Sequence, residues 1–269
     1  MKGKDRFTPQ SRSKNPRDHQ GSEKELIAGR QAVLEALRYG RPFSILMAEG
    51  QKGNVISEIT FLAGQKDVPV TSLSRADFDQ MAGELSGSQG LAAYVPPFRY
   101  CSLQKLIGLA RESPEEPFLM MLDHIEDPQN LGAVMRTADA AGMHGLIIPD
   151  KRAAGVTAAV RKVAAGAAER MPVALAGNLN RAAERLKQEG FWLYGAEADG
   201  REPYYRADYR RPLVLVIGSE GKGLSRLLRK NCDLILSIPM PGRAGSLNVA
   251  ASAAILSYAA LAQRKGWVN

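Results

Sequence analysis

Polar residues that could take part in catalysis follow an apolar run in the middle of the chain. The stretch LDHIEDPQNLGAVMRTADAAG, residues 122–142, places Asn130 and Arg136 shortly after the run PFLMML. An amide and a guanidinium near a strand end can orient a substrate and stabilise a developing negative charge. The alternative is a structural helix start, with Asn130 capping a helix over 131–142 and Arg136 pairing with Asp139.

A second cluster, VIGSEGKGLS at residues 216–225, joins an apolar run to a predicted helix. Its glycines, Gly218, Gly221 and Gly223, let a ligand approach the backbone closely. Neither the P-loop spacing nor the GxGxxG spacing is present. Glu220 would repel a phosphate, so the loop favours a cofactor without phosphates. The alternative is an ordinary strand-to-helix turn.

A third cluster begins after another predicted strand, in IPMPGRAGSLNVAAS. A Pro/Gly loop carries Arg243, and Ser246 and Asn248 open an Ala-rich helix, whose first N–H groups are free to donate. Asn248 is placed just inside the helix, where asparagine has a poor propensity. The position indicates a function for its side chain, unless Ser246 is simply the helix N-cap.

These clusters need strands and helices to hold them, and the sequence predicts two α/β series. The first has strands at 43–48, 68–73 and 90–97 and helices at 26–40, 54–67 and 74–85. The second has strands at 118–122, 145–149, 172–175, 191–196, 213–217 and 234–238, and helices at 131–142, 156–168, 178–190, 223–231 and 247–264. Non-alternating apolar runs such as PLVLVIG are typical of parallel strands covered on both faces. Ligands bind at the carboxyl ends of such strands.

Changes in composition and the positions of prolines divide the chain into four segments. Residues 1–24 form a basic arm that we expect to be disordered, because it has few large apolar residues. Residues 25–97 form a small α/β domain, residues 98–115 a proline-bracketed linker, and residues 116–269 the second domain.

The net charge of +8 is concentrated at the N-terminus. Residues 1–22 carry six Lys or Arg against two Asp, a net of +4. Such arms attract nucleic acid in a salt-dependent way, although a solubilising tail has the same composition.

Composition also excludes several classes of protein. The chain is 45% hydrophobic, which is enough for a core, yet no apolar stretch approaches the ~20 residues needed to cross a bilayer. No secretory signal is expected, because the N-terminal residues lack an apolar stretch. Cys101 and Cys232 form no CxxC pair, so neither a zinc site nor a disulfide framework is expected. A cytoplasmic protein is expected. His124 and His144 are interpreted as structural.

The three clusters, in this order, resemble the three motifs of the SpoU/TrmH family of RNA ribose 2′-O-methyltransferases in the SPOUT superfamily. The segment VRKVAAGAAERMPV, residues 160–173, also resembles the family's sequence between its first two motifs. The first domain, with AGRQAVLEAL and GSQGLAAYV, resembles the L30e-like RNA substrate-binding domain of the subgroup that acts on a guanosine of 23S rRNA.

The resemblance implies a fold, a cofactor and partners. The fold is a parallel-sheet α/β methyltransferase domain with a C-terminal trefoil knot, preceded by the L30e-like α/β domain. The cofactor is S-adenosylmethionine (SAM), without a metal. The partners are 23S rRNA of the large-subunit precursor and a second copy in a homodimer, with neither a membrane nor DNA expected.

The resemblance also implies roles for individual residues. Catalytic residues are Asn130, Arg136, Glu220, Ser246 and Asn248. The SAM-binding residues are Gly195, Ala196, Ile217, Gly218, Ile238, Met240, Ser246 and Leu247. A ribose 2′-hydroxyl attacks the methyl group, and the family's motif 1 arginine has been given the role of base. Because arginine stays protonated in proteins, we interpret Arg136 as a stabiliser of the alkoxide and of a nearby phosphate.

Four alternative functions remain at this stage. Two are enzymes of the same kind, a tRNA guanosine 2′-O-methyltransferase and an adenosine 2′-O-methyltransferase of 23S rRNA that confers antibiotic resistance. The third is a non-catalytic RNA-binding protein of ribosome assembly. The fourth is a nicotinamide-dependent oxidoreductase, which the missing GxGxxG and the acidic Glu220 disfavour.

Overall fold

The computed structural model describes residues 24–82, 88–243 and 245–268, which form two α/β domains, each with one β-sheet. The predicted arm therefore lies outside the described residues, apart from Lys24. No helix in these ranges has the length and apolarity required to cross a membrane.

The N-terminal domain is a four-stranded mixed sheet in the order β1-β4-β2-β3. Its elements are β1 (Glu25–Ala28), α1 (Arg30–Tyr39), β2 (Ser44–Ala48), α2 (Asn54–Gln65), β3 (Val70–Leu73), α3 (Arg75–Ala82) and β4 (Leu91–Val95). The prediction of one helix over 26–40 was wrong at its start, because Ile27 pairs with Ala93 in the sheet. Gly29, with φ of 109°, makes the turn from β1 into α1.

The C-terminal domain is a seven-stranded parallel sheet in the order β7-β6-β5-β10-β8-β11-β9. Its strands are β5 (Phe118–Asp123), β6 (Gly145–Pro149), β7 (Val173–Ala176), β8 (Trp192–Ala196), β9 (Glu202–Pro203), β10 (Leu213–Gly218) and β11 (Leu234–Ser237). Its helices are α4 (Leu103–Glu112), α5 (Pro128–Ala140), α6 (Ala158–Ala164), α7 (Ala167–Arg170), α8 (Leu179–Gln188), α9 (Arg226–Asn231) and α10 (Val249–Arg264).

The central strands of this sheet are buried on both faces. Met120 and Leu122 belong to the apolar cluster under α5 and α10, whereas Leu119 and Met121 belong to the cluster under α4 and α8. This arrangement confirms the prediction of a parallel α/β sheet covered by helices on both sides.

The segment predicted as a linker is largely part of the second domain. Its helix α4 buries Leu106, Ile107 and Ala110 against the sheet. Ser102 caps the helix by accepting a hydrogen bond from the Lys105 N–H at 3.2 Å. The linker prediction was wrong for this helix, because its apolar face packs on the sheet.

Candidate active site

The three polar clusters meet at one edge of the C-terminal sheet. Strand β10 lies between β5 and β8, with Gly218 beside Asp123 and Ile217 beside Ala196. Because these strands are parallel, their carboxyl ends share that edge. The sheet thus brings together residues that are about a hundred positions apart in the sequence.

The start of α5 leaves the Asn130 side chain available to the site. Asp127, rather than Asn130, is the N-cap, and its carboxylate accepts from the Gln129 N–H at 2.9 Å. The prediction that Asn130 caps a helix starting at 131 was therefore wrong. Pro128 begins the helix, where its missing N–H costs nothing.

The start of α10 also differs from the prediction. Asn248 is the N-cap itself, and its Oδ1 accepts from the Ala250 N–H at 2.9 Å. The argument from poor propensity inside a helix was wrong, since asparagine is a preferred cap. Capping uses only the oxygen of the amide, so its Nδ2 group points donors into the site.

A hydrogen-bonded cluster joins the three clusters through Glu220. Its Oε1 accepts from Asn248 Nδ2 at 2.7 Å, from Asn130 Nδ2 at 3.2 Å and from the Val249 N–H at 3.2 Å. Asn248 Nδ2 also donates to Asn130 Oδ1 at 3.0 Å. Three donors on one carboxylate oxygen fix the positions of both amides. We call Asn130, Glu220 and Asn248 the motif cluster.

The other two predicted catalytic residues lie outside this cluster. Arg136 is exposed on α5, and within the described ranges it makes no hydrogen bond or ion pair. The alternative pairing with Asp139 was wrong, because Asp139 binds Arg170 instead. Ser246 is exposed and lines a cavity beside the cluster.

That cavity has a volume of about 400 Å³ and lies at the ends of β8, β10 and β11. Its size falls within the ~300–1,000 Å³ usual for small-molecule sites. Of the residues predicted to bind SAM, those that line it are Ala196, Ile217, Gly218, Ile238, Met240, Ser246 and Leu247. Their role in binding stays a prediction.

Gly195, the remaining predicted SAM-binding residue, is not among the lining residues. A Cβ at this position would lie 2.7 Å from Leu224 Cδ1 and 2.9 Å from Cys232 Sγ. Close packing on the side of the sheet that faces Leu224 and Cys232 therefore requires a glycine here.

The glycine-rich loop after β10 folds back on itself. The Gly223 N–H donates to the Ser219 carbonyl at 2.9 Å, and a Cβ on Gly218 would lie 2.2 Å from the Gly223 carbonyl carbon. Gly221 and Gly223 have φ values of 77° and 64°, a region that favours glycine. The tight turn itself thus accounts for these glycines.

Two carboxylates anchor this loop: Asp123 is the last residue of β5, and Glu197 directly follows β8. Buried Asp123 accepts from the Ser225 N–H at 2.6 Å, and Glu197 accepts from the Leu224 N–H at 2.9 Å. Sequence reasoning missed Glu197, although its position directly after a strand end was an available signal.

The charge around the cavity suits a ligand that carries positive charge. Three carboxylates, Glu197, Asp199 and Glu220, line it against two cations, Lys222 and Arg229, which leaves a net charge of −1. Arg229 pairs with the first two, and its hydrogen bond lowers the pKa of Asp199. The sulfonium and amino groups of SAM carry positive charge and the molecule has no phosphate, so the lining fits SAM. The described residues include no cluster of three or more potential metal ligands of the His, Cys, Asp and Glu types.

A second cavity, of about 520 Å³, adjoins the first at the Glu220 loop. Ser219, Glu220, Lys222, Gly223 and Val249 line both cavities. The lining residues of the second cavity alone are Asp123, His124, Ile125, Glu126, Asp127, Asn130, Arg152, Leu224 and Ser225. Ligands in the two cavities would therefore lie next to each other beside Glu220.

Charged groups around the second cavity are available to a ligand. Within the described ranges, Arg152, Lys222 and Glu126 have no side-chain partner. His124 contacts Asp123 and has φ of 59°, a conformation uncommon for a residue other than glycine.

Protein-family models match both domains. A model described as the SpoU rRNA Methylase family matches residues 117–258. A second, described as RNA 2′-O ribose methyltransferase substrate binding, matches residues 26–101. Both matches confirm the resemblance seen in the motifs.

Individual proteins are similar over nearly the whole chain. The putative TrmH family tRNA/rRNA methyltransferase YacO of Bacillus subtilis is 40% identical over 235 residues, 87% of this chain and 94% of its own. A solved RNA 2′-O ribose methyltransferase is 27% identical, with a TM-score of 0.73 over 93% of this chain and 91% of its own. The AdoMet-bound rRNA methyltransferase from Sinorhizobium meliloti has a TM-score of 0.74 over 94% of this chain and 90% of its own. At 23% identity the last likeness concerns the fold alone.

Proposed function

The chain belongs to the SpoU rRNA methylase family and is a SAM-dependent RNA 2′-O-methyltransferase, and we propose that its target is a guanosine in the peptidyl-transferase region of 23S rRNA. The observation that supports the proposal is the pair of adjoining cavities that share Glu220 of the motif cluster. One cavity suits SAM, and the other has room for the target nucleotide beside it.

The proposed mechanism assigns each group a distinct role. SAM, when bound, supplies an activated methyl group. The motif cluster positions the ribose, because Glu220 holds both amides in one orientation. Arg136 stabilises the negative charge that develops on the 2′-oxygen as its proton leaves to solvent. Alignment of the reactants contributes much of the rate.

The second cavity offers chemistry that suits a nucleotide. Arg152 and Lys222 can bind the phosphodiesters on either side of the target. The carboxylate of Glu126 can accept hydrogen bonds from the N1–H and N2–H groups of guanine, which adenine does not present. This chemistry favours guanosine over the adenosine alternative.

The N-terminal domain supports rRNA as the substrate class. It matches the substrate-binding model, and the model that matches the second domain is described as the SpoU rRNA Methylase family. The runner-up is a tRNA guanosine, since YacO is named generically as a tRNA/rRNA methyltransferase. Membership of an enzyme family disfavours the non-catalytic and oxidoreductase alternatives.

We also propose the C-terminal knot that the family resemblance implies. A further proposal is that the protein forms a homodimer. Helix α10 leaves Ala251, Ile255 and Tyr258 on one partly exposed face at helical spacing, which suits a second copy. Sedimentation at micromolar concentration would give twice the mass of 29.1 kDa for the homodimer. A monomer would contradict it.

The first experiment is tritiated methyl transfer from SAM to separate 23S rRNA and tRNA transcripts, followed by mapping of the labelled nucleotide. A 2′-O-methylguanosine in the peptidyl-transferase region is expected. Label in tRNA only, or on an adenosine, would contradict the proposed target and leave the reaction intact. If the protein binds SAM in calorimetry but labels neither transcript, then neither free RNA is its substrate.

A further inference from the structure

Two arginines of the segment α6–α7 connect the N-terminal domain to the methyltransferase domain. The first, Arg161, is only 4% exposed. Its Nη1 donates to Glu25 Oε2 at 2.7 Å and to the Pro96 carbonyl at 3.0 Å, both from the N-terminal domain. Its Nη2 pairs with Glu169 Oε1, from its own domain, at 2.7 Å. A buried cation is thus shared between the domains.

The second, Arg170, links three helices. Its guanidinium pairs with Glu35 on α1, which is 3% exposed, and with Asp139 on α5. It also lies 5.0 Å from the centre of the Tyr39 ring. The hydrogen bond that Arg170 donates to Asp139 raises the pKa of Arg170, which favours the charged form.

The backbone beside these arginines is shaped for close contact between the domains. Gly166 has φ of 92°, and a Cβ there would lie 2.1 Å from Glu35 Cγ. Helix α1 can therefore approach the turn between α6 and α7 only because residue 166 has no side chain.

The Arg170 contacts end on the helix that carries two proposed catalytic residues. Asp139 lies one turn beyond Arg136 on α5, and Asn130 lies in the first turn of that helix. A continuous path of side-chain contacts, Glu35 to Arg170 to Asp139, thus joins the N-terminal domain to the active-site helix.

These contacts are sensitive to small changes in domain position. Removing one partner of a buried ion pair leaves an uncompensated charge, and a lysine cannot reproduce the several directed bonds of a guanidinium. Interfaces between domains usually permit relative motion. The guanidinium of Arg161 makes all of its contacts only when the two domains are in this arrangement, because its partners come from both.

We propose that Arg161 and Arg170 are positioning residues that hold the N-terminal domain at a fixed distance and orientation from the active site. An RNA that contacts both domains is then presented with its target ribose at the motif cluster. The inference rests on the proposed function, because it assumes that the N-terminal domain contacts the RNA substrate. A displacement of about 1 Å can cost on the order of 10²-fold in rate.

The test compares Arg170→Gln and Arg170→Lys with the control Arg38→Gln. Arg38 pairs with the same Glu35, at 3.1 Å, but lies within the N-terminal domain and does not bridge to the second. A mixture of 23S, 16S and tRNA transcripts serves as methyl acceptor, so the comparison does not depend on which RNA is the target. The readouts are kcat and KM for RNA, SAM affinity by calorimetry, and the interdomain distance by small-angle scattering.

For Arg170→Gln we expect kcat/KM for RNA to fall at least 10-fold, with SAM affinity within twofold of wild type and a longer interdomain distance. Arg170→Lys is expected to be intermediate, and Arg38→Gln to remain within twofold. Because Arg170 is partly exposed, these variants are expected to fold, and Glu25→Gln offers a milder second variant.

Two results of the activity measurements would overturn the proposal. One is a folded Arg170→Gln protein with wild-type kcat/KM, whether or not its domains separate. The other is an equal loss in Arg38→Gln, which would indicate an effect on Glu35 alone. Wild-type protein that binds SAM but labels no RNA in the mixture would instead contradict the proposed function, and an unchanged interdomain distance in Arg170→Gln would still overturn the positioning role.

Discussion

The arrangement of donors around Glu220 shows how the site depends on single atoms. Oε1 accepts hydrogen bonds from two side-chain amides and one backbone N–H, so this carboxylate orients Asn130 and Asn248. Arg136, by contrast, has no partner in the part of the chain that the structure describes. Arg136 lines neither cavity, but an exposed cation without a partner on the helix that carries Asn130 is available to a bound substrate.

Arg136→Ala should therefore lower methyl transfer on the order of 10²–10³-fold, because a charged donor is lost from the transition state. SAM affinity and melting temperature should not change, since Arg136 has no hydrogen bond or ion pair to lose among the described residues. The matched control is Arg181→Ala, an exposed arginine on α8, across the sheet from α5. Unchanged turnover in Arg136→Ala would refute the catalytic role.

Asn248 has two functions that substitution can separate. Serine keeps an N-cap oxygen but is too short to reach Glu220, whereas alanine loses both functions. Asn248→Ser and Asn248→Ala should lose methyl transfer equally. Urea unfolding should show Asn248→Ala to be less stable than Asn248→Ser by about 1 kcal/mol. Wild-type turnover in the serine variant would show that the amide has no role in the reaction.

At the scale of elements, the loop after β10 is held in shape by a backbone hydrogen bond within it and by side chains at the ends of neighbouring strands. Asp123 and Glu197 each accept a backbone N–H from its last residues. The loop can lie this close to β10 only because Gly218 has no Cβ. Helix α10 contributes its first turn to the same edge through Asn248.

Gly218→Ala should weaken SAM binding at least 10-fold in calorimetry. The new Cβ would lie 2.2 Å from a Gly223 backbone atom, so the loop that lines the cavity must move. The control Gly108→Ala places the same methyl group on α4, where no atom lies within 4 Å. It should leave SAM binding unchanged and stabilise the helix slightly. Normal SAM affinity in Gly218→Ala would mean that the cavity does not hold SAM.

At the scale of the whole molecule, charge and domain contacts act together. The described N-terminal domain is held against the active-site domain by Arg161 and Arg170. The basic arm precedes this domain and lies outside the described residues. If the arm attracts RNA, its contribution adds to the RNA contacts of the N-terminal domain. The ion pairs of Arg161 and Arg170 set the position of that domain.

Deleting residues 1–22 should weaken RNA binding and flatten its dependence on salt. Each lost cation contact to single-stranded RNA reduces the slope of log K against log salt by ~0.7. Filter binding at several salt concentrations measures this slope, and kcat at saturating RNA should stay the same. An identical slope for the full-length and shortened proteins would show that the arm makes no contact with RNA.

Local pattern predicted most of the strands and helices and the three clusters, but it placed β1 inside a helix and missed β9. Apolar runs such as PLVLVIG predicted buried parallel strands, and Gly and Asn marked turns and caps near the right positions. The helix starts were less accurate, because Asp127 and Asn248 compete with nearby polar residues for the cap. The family motifs added the reaction and the cofactor, which spacing alone left open.

Only the tertiary structure decided which side chains meet. Glu220 binds Asn130 and Asn248 because β10 lies beside β5 in the sheet, a pairing between distant segments that local periodicity does not encode. The partner of Asp139 shows the same limit. Helical spacing suggested Arg136, yet the packing of α7 on α5 brings Arg170 to it instead. Contacts within one element follow from its repeat, whereas contacts between elements depend on how the whole chain packs.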